Sequence, residues 1–146
     1  MILADVNALI HAFREDSALY PIYRPWLRSV IYGNAVFAVS PQVLSSVLRI
    51  STNRRIFAEP NSLEEVIAFA ETLMSRSNCR IIQPATRHWA IFCELCRQTS
   101  ATGDLIPDAW LAALAIEHDC ELISEDRGFA VFPGLRWRSL RGDAVQ

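Results

Sequence analysis

Two short apolar runs of the chain end in an aspartate: "ILADVN" at residues 2–7 and "ELISEDRGF" at residues 121–129. A third acid, Asp108, falls in the first turn of "GDLIPDAWLAALA", with Asp104 just upstream. Taken singly, each is accounted for by a turn or a helix start, where a carboxylate complements the positive end of the helix dipole. Asp5, Asp108 and Asp126 together imply more. Like charges held close raise one another's pKa unless a cation compensates them. Oxygen donors without imidazole or thiolate suit Mg²⁺ or Mn²⁺. Such an ion keeps several waters, and one of them can serve as a nucleophile toward a phosphodiester.

For this chemistry the fold must bring the three acids to one edge. "MILA", "AVFAV", "CRIIQ", "ELIS" and "LRWRS" read as short strands, separated by helical patterns. A helix through "VNALIHAFRE" follows the first strand. The next covers "LYPIYRPWLRSVIYG", where Pro21 and Pro25 restrict the early turns. "SPQVLSSVLRIST" opens with Ser40 as cap and Pro41 at the first helical position. Ser62 and Glu65 have capping-box spacing at the start of "SLEEVIAFAETLMS". "TRHWAIFCELCRQTS" and "PDAWLAALAIEH" supply two more helices on either side of the Gly103 turn. Strands alternating with helices predict an α/β/α sandwich around a central parallel sheet of four to five short strands, one domain over residues 1–146. Ligands of such sheets bind at the carboxyl ends of the strands. Asp5 ends the first strand, Asp126 lies just past "ELIS", and the Asp108 helix starts from the same edge. The three acids are expected on one rim.

Composition narrows the chemistry. The 146 residues carry 14 basic and 16 acidic side chains, a net charge of -2, which argues against a broadly basic nucleic-acid coat. Every basic residue is arginine. A Walker-type phosphate loop and a Schiff-base enzyme each need a lysine, so both are excluded, and a lysine-assisted phosphatase fits no better. Cys93 and Cys96 form a C-x-x-C within a helical pattern, with no second close pair for a zinc ribbon. The four cysteines read as small buried thiols of a reducing compartment. No apolar run approaches the roughly 20 residues that span a bilayer. No basic region precedes the first apolar segment, so no secretory signal is expected. A cytoplasmic protein without membrane contact is the expectation.

On "LADVNALIHAFREDS", "VLSSVLRISTNRRIF" and "LIPDAWLAALAIEHDCELISEDRGFAVFPGLRWR" the chain resembles the PIN-domain ribonucleases, specifically the VapC toxins of bacterial toxin–antitoxin pairs. The order and spacing of these segments over nearly the whole chain carry the resemblance. It implies a metal-dependent endoribonuclease acting on RNA, a cognate VapB-like antitoxin and a homodimer. It also implies that Asp5, Asp108 and Asp126 are the metal-binding and catalytic carboxylates. Two positions depart from the family. Where relatives often carry a glutamate, this chain has Ser46, and where a second aspartate often follows Asp126 it has Gly128. The site is therefore short of negative charge, which motivates an alternative reading as a weakened PIN domain that binds RNA or antitoxin without cutting. Asn7 and Ser124 lie close enough in sequence to orient waters or the metal shell. They serve equally as a helix cap and a strand-end hydroxyl.

Arg49, Arg54 and Arg55 could grip RNA phosphates through forked hydrogen bonds, or simply be solvated charges at a helix end. Arg136, Arg138 and Arg141 form a basic tail suited to solvent or to antitoxin contact. His11, His88 and His118 have no partner at nucleophile-activating spacing, and packing or dipole pairing accounts for them. Trp26, Trp89, Trp110 and Trp137 are expected to fill core or interface. "IYRPWLRSVIY" carries large apolar groups on more than one side, as a helix gripping a dimer mate or an antitoxin segment would.

Overall fold

The computed structural model describes residues 1–143. Five three-residue strands, β1 (Ile2–Ala4), β2 (Phe37–Val39), β3 (Cys79–Ile81), β4 (Glu121–Ile123) and β5 (Arg136–Arg138), form one sheet. All neighbours are parallel, in the order β3-β2-β1-β4-β5. The expected strands are all present. The helices are α1 (Val6–Phe13), α2 (Tyr20–Ile31), α3 (Pro41–Ser51), α4 (Leu63–Met74), α5 (His88–Thr99), α6 (Leu105–Glu117) and α7 (Leu140–Asp143). α7 and a 3₁₀ turn at Arg127–Val131 lie outside the sequence expectation, being too short to show a periodicity.

Strand alternation sorts the core into two layers. Ile2, Ala4, Phe37, Val39 and Ile123 pack against α1 to α4, while Leu3, Ala38 and Leu122 pack against α5 and α6. Both faces are covered, which is why the strands read as continuous apolar runs. On α6, Ala109, Ala112, Ala113 and Ala115 are fully buried. Their small side chains let this helix lie close to the sheet and to α5. Ser40 and Ser62 cap α3 and α4 as their sequences foretell, through the amides of Val43 and Glu65. α2 runs on through Pro25. One expectation is corrected: of the cysteines only Cys120 is buried, since the other three lie on half-covered edges and faces. Trp89 is 66% exposed, so of the core and interface positions expected for it, it does not take the core.

The strand order fixes where the site must be. From β1 the chain builds outward through β2 and β3, then returns to lay β4 and β5 on the other side of β1. The switch point lies between β1 and β4, at whose carboxyl ends such folds bind ligands. Among the described residues no helix is long and apolar enough to cross a membrane.

Candidate active site at the carboxyl edge

Asp5 leaves β1 at the switch point, and its amide donates to the carbonyl of Ile123 on β4 (2.9 Å). Its backbone is extended while Val6 is already helical, so its carboxylate caps α1 through the Val6 amide (2.7 Å). The other carboxylate oxygen accepts from Ser124 Oγ (2.8 Å). Asn7 Nδ2 donates to the same hydroxyl (3.1 Å), and Asn7 Oδ1 accepts the amide of Glu125 (3.1 Å). Ser124 Oγ also accepts the amide of Asp126 (3.0 Å). Asp5, Asn7, Ser124 and Asp126 are thus tied across 119 positions of sequence by one fully buried hydroxyl. Asp126 itself is exposed and caps the 3₁₀ turn through the amide of Gly128 (2.8 Å). A Cβ at position 128 would meet Asp126 Oδ1 at 3.0 Å, so the glycine leaves room for that carboxylate.

Asp108 arrives from α6. Gly103, at φ +56, makes the left-handed turn that a side chain would resist, and α6 then starts beside the rim. Asp108 is half-buried, and no described residue hydrogen-bonds its carboxylate. Burial first, then the charges of Asp126, Asp5 and Asp104, push its pKa up to about 6. Asp5 is raised as well, chiefly by burial and also by Asp126, although the Ser124 and Val6 hydrogen bonds oppose the shift. Three acids from distant segments therefore share one field. Asp104, exposed and one turn before Asp108, adds a fourth negative charge without spending it on a cap hydrogen bond.

The other candidates divide. Ser46 is half-buried on α3, one turn after Gln42, whose Oε1 accepts from Trp110 Nε1 on α6 (2.7 Å). That face of α3 is therefore turned toward the helix that carries Asp108. Arg49, Arg54 and Arg55 are exposed and form no ion pair with described residues. They lie at the far end of α3, which starts at the rim and runs about 16 Å away from it at 1.5 Å per residue. His88 is buried against Trp110, with Nε2 at its carbonyl (2.9 Å), and His118 rests on the carbonyl of Gln83. Neither takes part in the rim.

One residue escaped the sequence reading. Glu125 stands between Ser124 and Asp126 but turns to the opposite side, where it accepts from Tyr23 Oη and Ser139 Oγ. Burial would raise its carboxyl, yet these bonds and the Arg141 amide hold it below the usual range. Continuing the strand's alternation past Ile123 was the available signal.

The rim's donors are carboxylate, hydroxyl and amide oxygens, a set that fits a hard divalent cation, and burial together with mutual repulsion raises two of the acids, a cost that such an ion would relieve. As they stand, no three acids, histidines or cysteines among the described residues lie close enough together to hold an ion between them.

Residues 2–135 match the PIN domain family model. The chain is 40% identical over 136 residues to ribonuclease VapC25 of Mycobacterium tuberculosis, covering 93% of this chain and 96% of that protein. It is 36% identical to ribonuclease VapC43 of the same organism, covering 94% of each. Among solved structures it is similar to VapBC2 from Rickettsia felis bound to a DNA fragment from their promoter. That match has a TM-score of 0.68 and 19% identity, covering 95% of this chain and 98% of the other. A five-stranded parallel sheet with its acids at the switch point, and this degree of likeness along nearly the whole chain, place the protein in the PIN-domain family, among the VapC ribonucleases.

Proposed function

We propose that this chain is a metal-dependent endoribonuclease toxin of a VapBC-type pair, using Asp5, Asp108 and Asp126 to hold Mg²⁺, for which Mn²⁺ can substitute. The observation that carries the reading is the gathering of these acids at one rim, where burial first and then the neighbouring charges push Asp108 up to about 6. Kinship with ribonucleases supports it. When bound, a divalent ion supplies positive charge for the phosphodiester oxygens and a water acidic enough to attack near neutral pH.

The chain's own residues divide the remaining work. Asp5 is held by the Val6 amide and Ser124 hydroxyl, so one acid of the set is fixed in advance. Asp126 is set by the Gly128 amide at the mouth of the rim. Asp108, whose carboxylate no described residue hydrogen-bonds, would be available to the ion. Mg²⁺ keeps much of its water and needs only one or two direct carboxylates, so the three acids need not all touch it. Asn7 and Ser124 keep the two strand ends in register. Arg49, Arg54 and Arg55 would hold phosphates of the RNA remote from the bond that is cut. A VapB-like antitoxin would cover the acidic rim, and the chain would act as a homodimer.

Incubating the purified chain with RNA tests the proposal. Fragments that require Mg²⁺, vanish with a chelator and are lost in Asp5→Asn are the expected result. RNA that is bound but left intact at every metal concentration would establish the non-cutting alternative instead.

A further inference from the structure

Glu125 belongs to the loop that carries the rim but reaches away from it. Its Oε1 accepts from Tyr23 Oη and from the Arg141 amide (3.2 Å), and its Oε2 accepts from Ser139 Oγ (2.9 Å). Tyr23 is fully buried on α2, edge-on to Trp26 and tilted against His11. Ser139 is buried too, and its hydroxyl accepts the Gly142 amide (3.3 Å), which secures the first turn of α7. On the backbone side, the Glu125 amide is held by Asn7 of α1 (3.1 Å). A single residue therefore joins α1, α2, the loop after β4 and the turn before α7.

Of its two neighbours, Ser124 is fully buried and bonded to Asp5 and Asn7, whereas Asp126 has far less support of this kind. Asp126 is exposed, and among the described residues its carboxylate bonds only the amide of Gly128, within the same loop. Its amide is tied to Asp5 through the Ser124 hydroxyl, but its carboxylate is carried only by the loop, so its location also depends on what anchors that loop. We infer that Glu125, gripped by Tyr23 and Ser139, is a positioning residue for the reaction proposed above. It acts from behind the rim and, together with the Ser124 hydroxyl, sets the distance of Asp126 from Asp5. This inference rests on the metal-dependent ribonuclease reading. Its leverage is large because a misplacement of about 1 Å can lower a rate on the order of 100-fold.

Three measurements on the purified full chain test it: amide exchange across residues 124–130 without metal, Mn²⁺ affinity by calorimetry, and cleavage of purified ribosomal RNA at limiting and saturating substrate. In Glu125→Ala we expect faster exchange in that loop. Removing an outer support of a metal site costs about 10-fold to 100-fold, so Mn²⁺ affinity and kcat should fall by that much with KM little changed. Glu125→Gln keeps an acceptor for Tyr23 and should return both to within about threefold of the parent. If Glu125→Ala does not fold, Tyr23→Phe and Ser139→Ala each remove one grip and carry the same expectation, at about threefold. A folded Glu125→Ala that binds Mn²⁺ and cuts like the parent overturns the positioning role alone. So does a loss that Glu125→Gln fails to recover. A parent chain that neither binds Mn²⁺ nor cuts RNA overturns the functional reading, and this inference with it.

Discussion

Helix α6 carries an acid near each end, and the two are treated in opposite ways. Glu117, at the carboxyl end where the helix dipole disfavours an anion, has a side chain only 4% exposed. Burial alone would raise it, yet the amides of Ala85 (2.8 Å) and Arg87 (2.9 Å) and the nearby His118 hold it below the usual carboxylate range. Asp108, at the amino end where the dipole favours an anion, accepts no such bonds and is pushed up to about 6. Position on the helix thus predicts the wrong order. The supply of donors decides it. A carboxylate that the fold has satisfied is part of the scaffold, whereas one left among other acids is available to an external cation.

Exchanging either acid for its amide should separate these roles. Asp108→Asn should fold normally and lose roughly 100-fold to 1,000-fold in cleavage, given several kcal/mol of charge stabilisation at about 1.4 kcal/mol per tenfold. Glu117→Gln should do the reverse. It turns an N–H toward one of the two amides and removes the charge from the other bond, and should lower stability by about 1–3 kcal/mol, with the Mg²⁺ dependence of cleavage unaltered. Cleavage by Asp108→Asn at the parent rate, or a Glu117→Gln variant as stable as the parent, would erase the distinction.

Titration without metal sharpens the same contrast. A carboxyl whose pKa is higher in the folded state binds protons better there than when unfolded. Its contribution to stability is complete below the unfolded value near 3.9 and is lost as pH rises through about 6. The Asp108 contribution to the melting temperature of the metal-free protein should therefore fall between pH 4 and pH 7, read as parent minus Asp108→Asn. Asp108→Asn should lack that fall, and millimolar Mn²⁺ should restore stability at pH 7 by binding the folded state. A slope identical in Asp108→Asn and parent would place the charge excess elsewhere.

The smallest effect concerns the acid that this chain lacks. Ser46 shares a face of α3 with Gln42, which reaches Trp110. A glutamate there would add a charge on the side of α3 turned toward α6. Ser46→Glu should lower the Mg²⁺ needed for half-maximal cleavage by up to about tenfold, for which about 1.4 kcal/mol suffices. A destabilised variant with unchanged metal dependence would show that position 46 belongs to the core instead.

Much of this was legible in the residues, and the reason differs from element to element. Alternation of apolar runs with amphipathic stretches revealed the five strands and their order along the chain, because a sheet covered on both faces demands that pattern. The Ser40 and Ser62 caps were visible because a cap is a local contact. Asp5, Asp108 and Asp126 could be assigned to one edge from chain direction alone. Pairings between distant segments could not be read. Tyr23 and Glu125 are 102 positions apart, and nothing local marks either as the other's partner. The exposure of Trp89 was hidden as well, since its spacing suits the buried face as readily as the open one. The direction of α3 does follow from the strand it leaves, and it removes Arg49, Arg54 and Arg55 from the immediate rim.

The central place of β1 has a consequence for the order of events during synthesis. The first strand made pairs with β4, so the Asp5 amide must wait for the carbonyl of Ile123, and the Asp5 carboxylate for the hydroxyl of Ser124. At roughly 5–20 residues per second, the interval between them is on the order of ten seconds. Contacts of such long sequence separation close late. A nascent chain cannot assemble the rim until its last third has emerged, so a ribosome that stalls before Ser124 releases a product with no assembled rim.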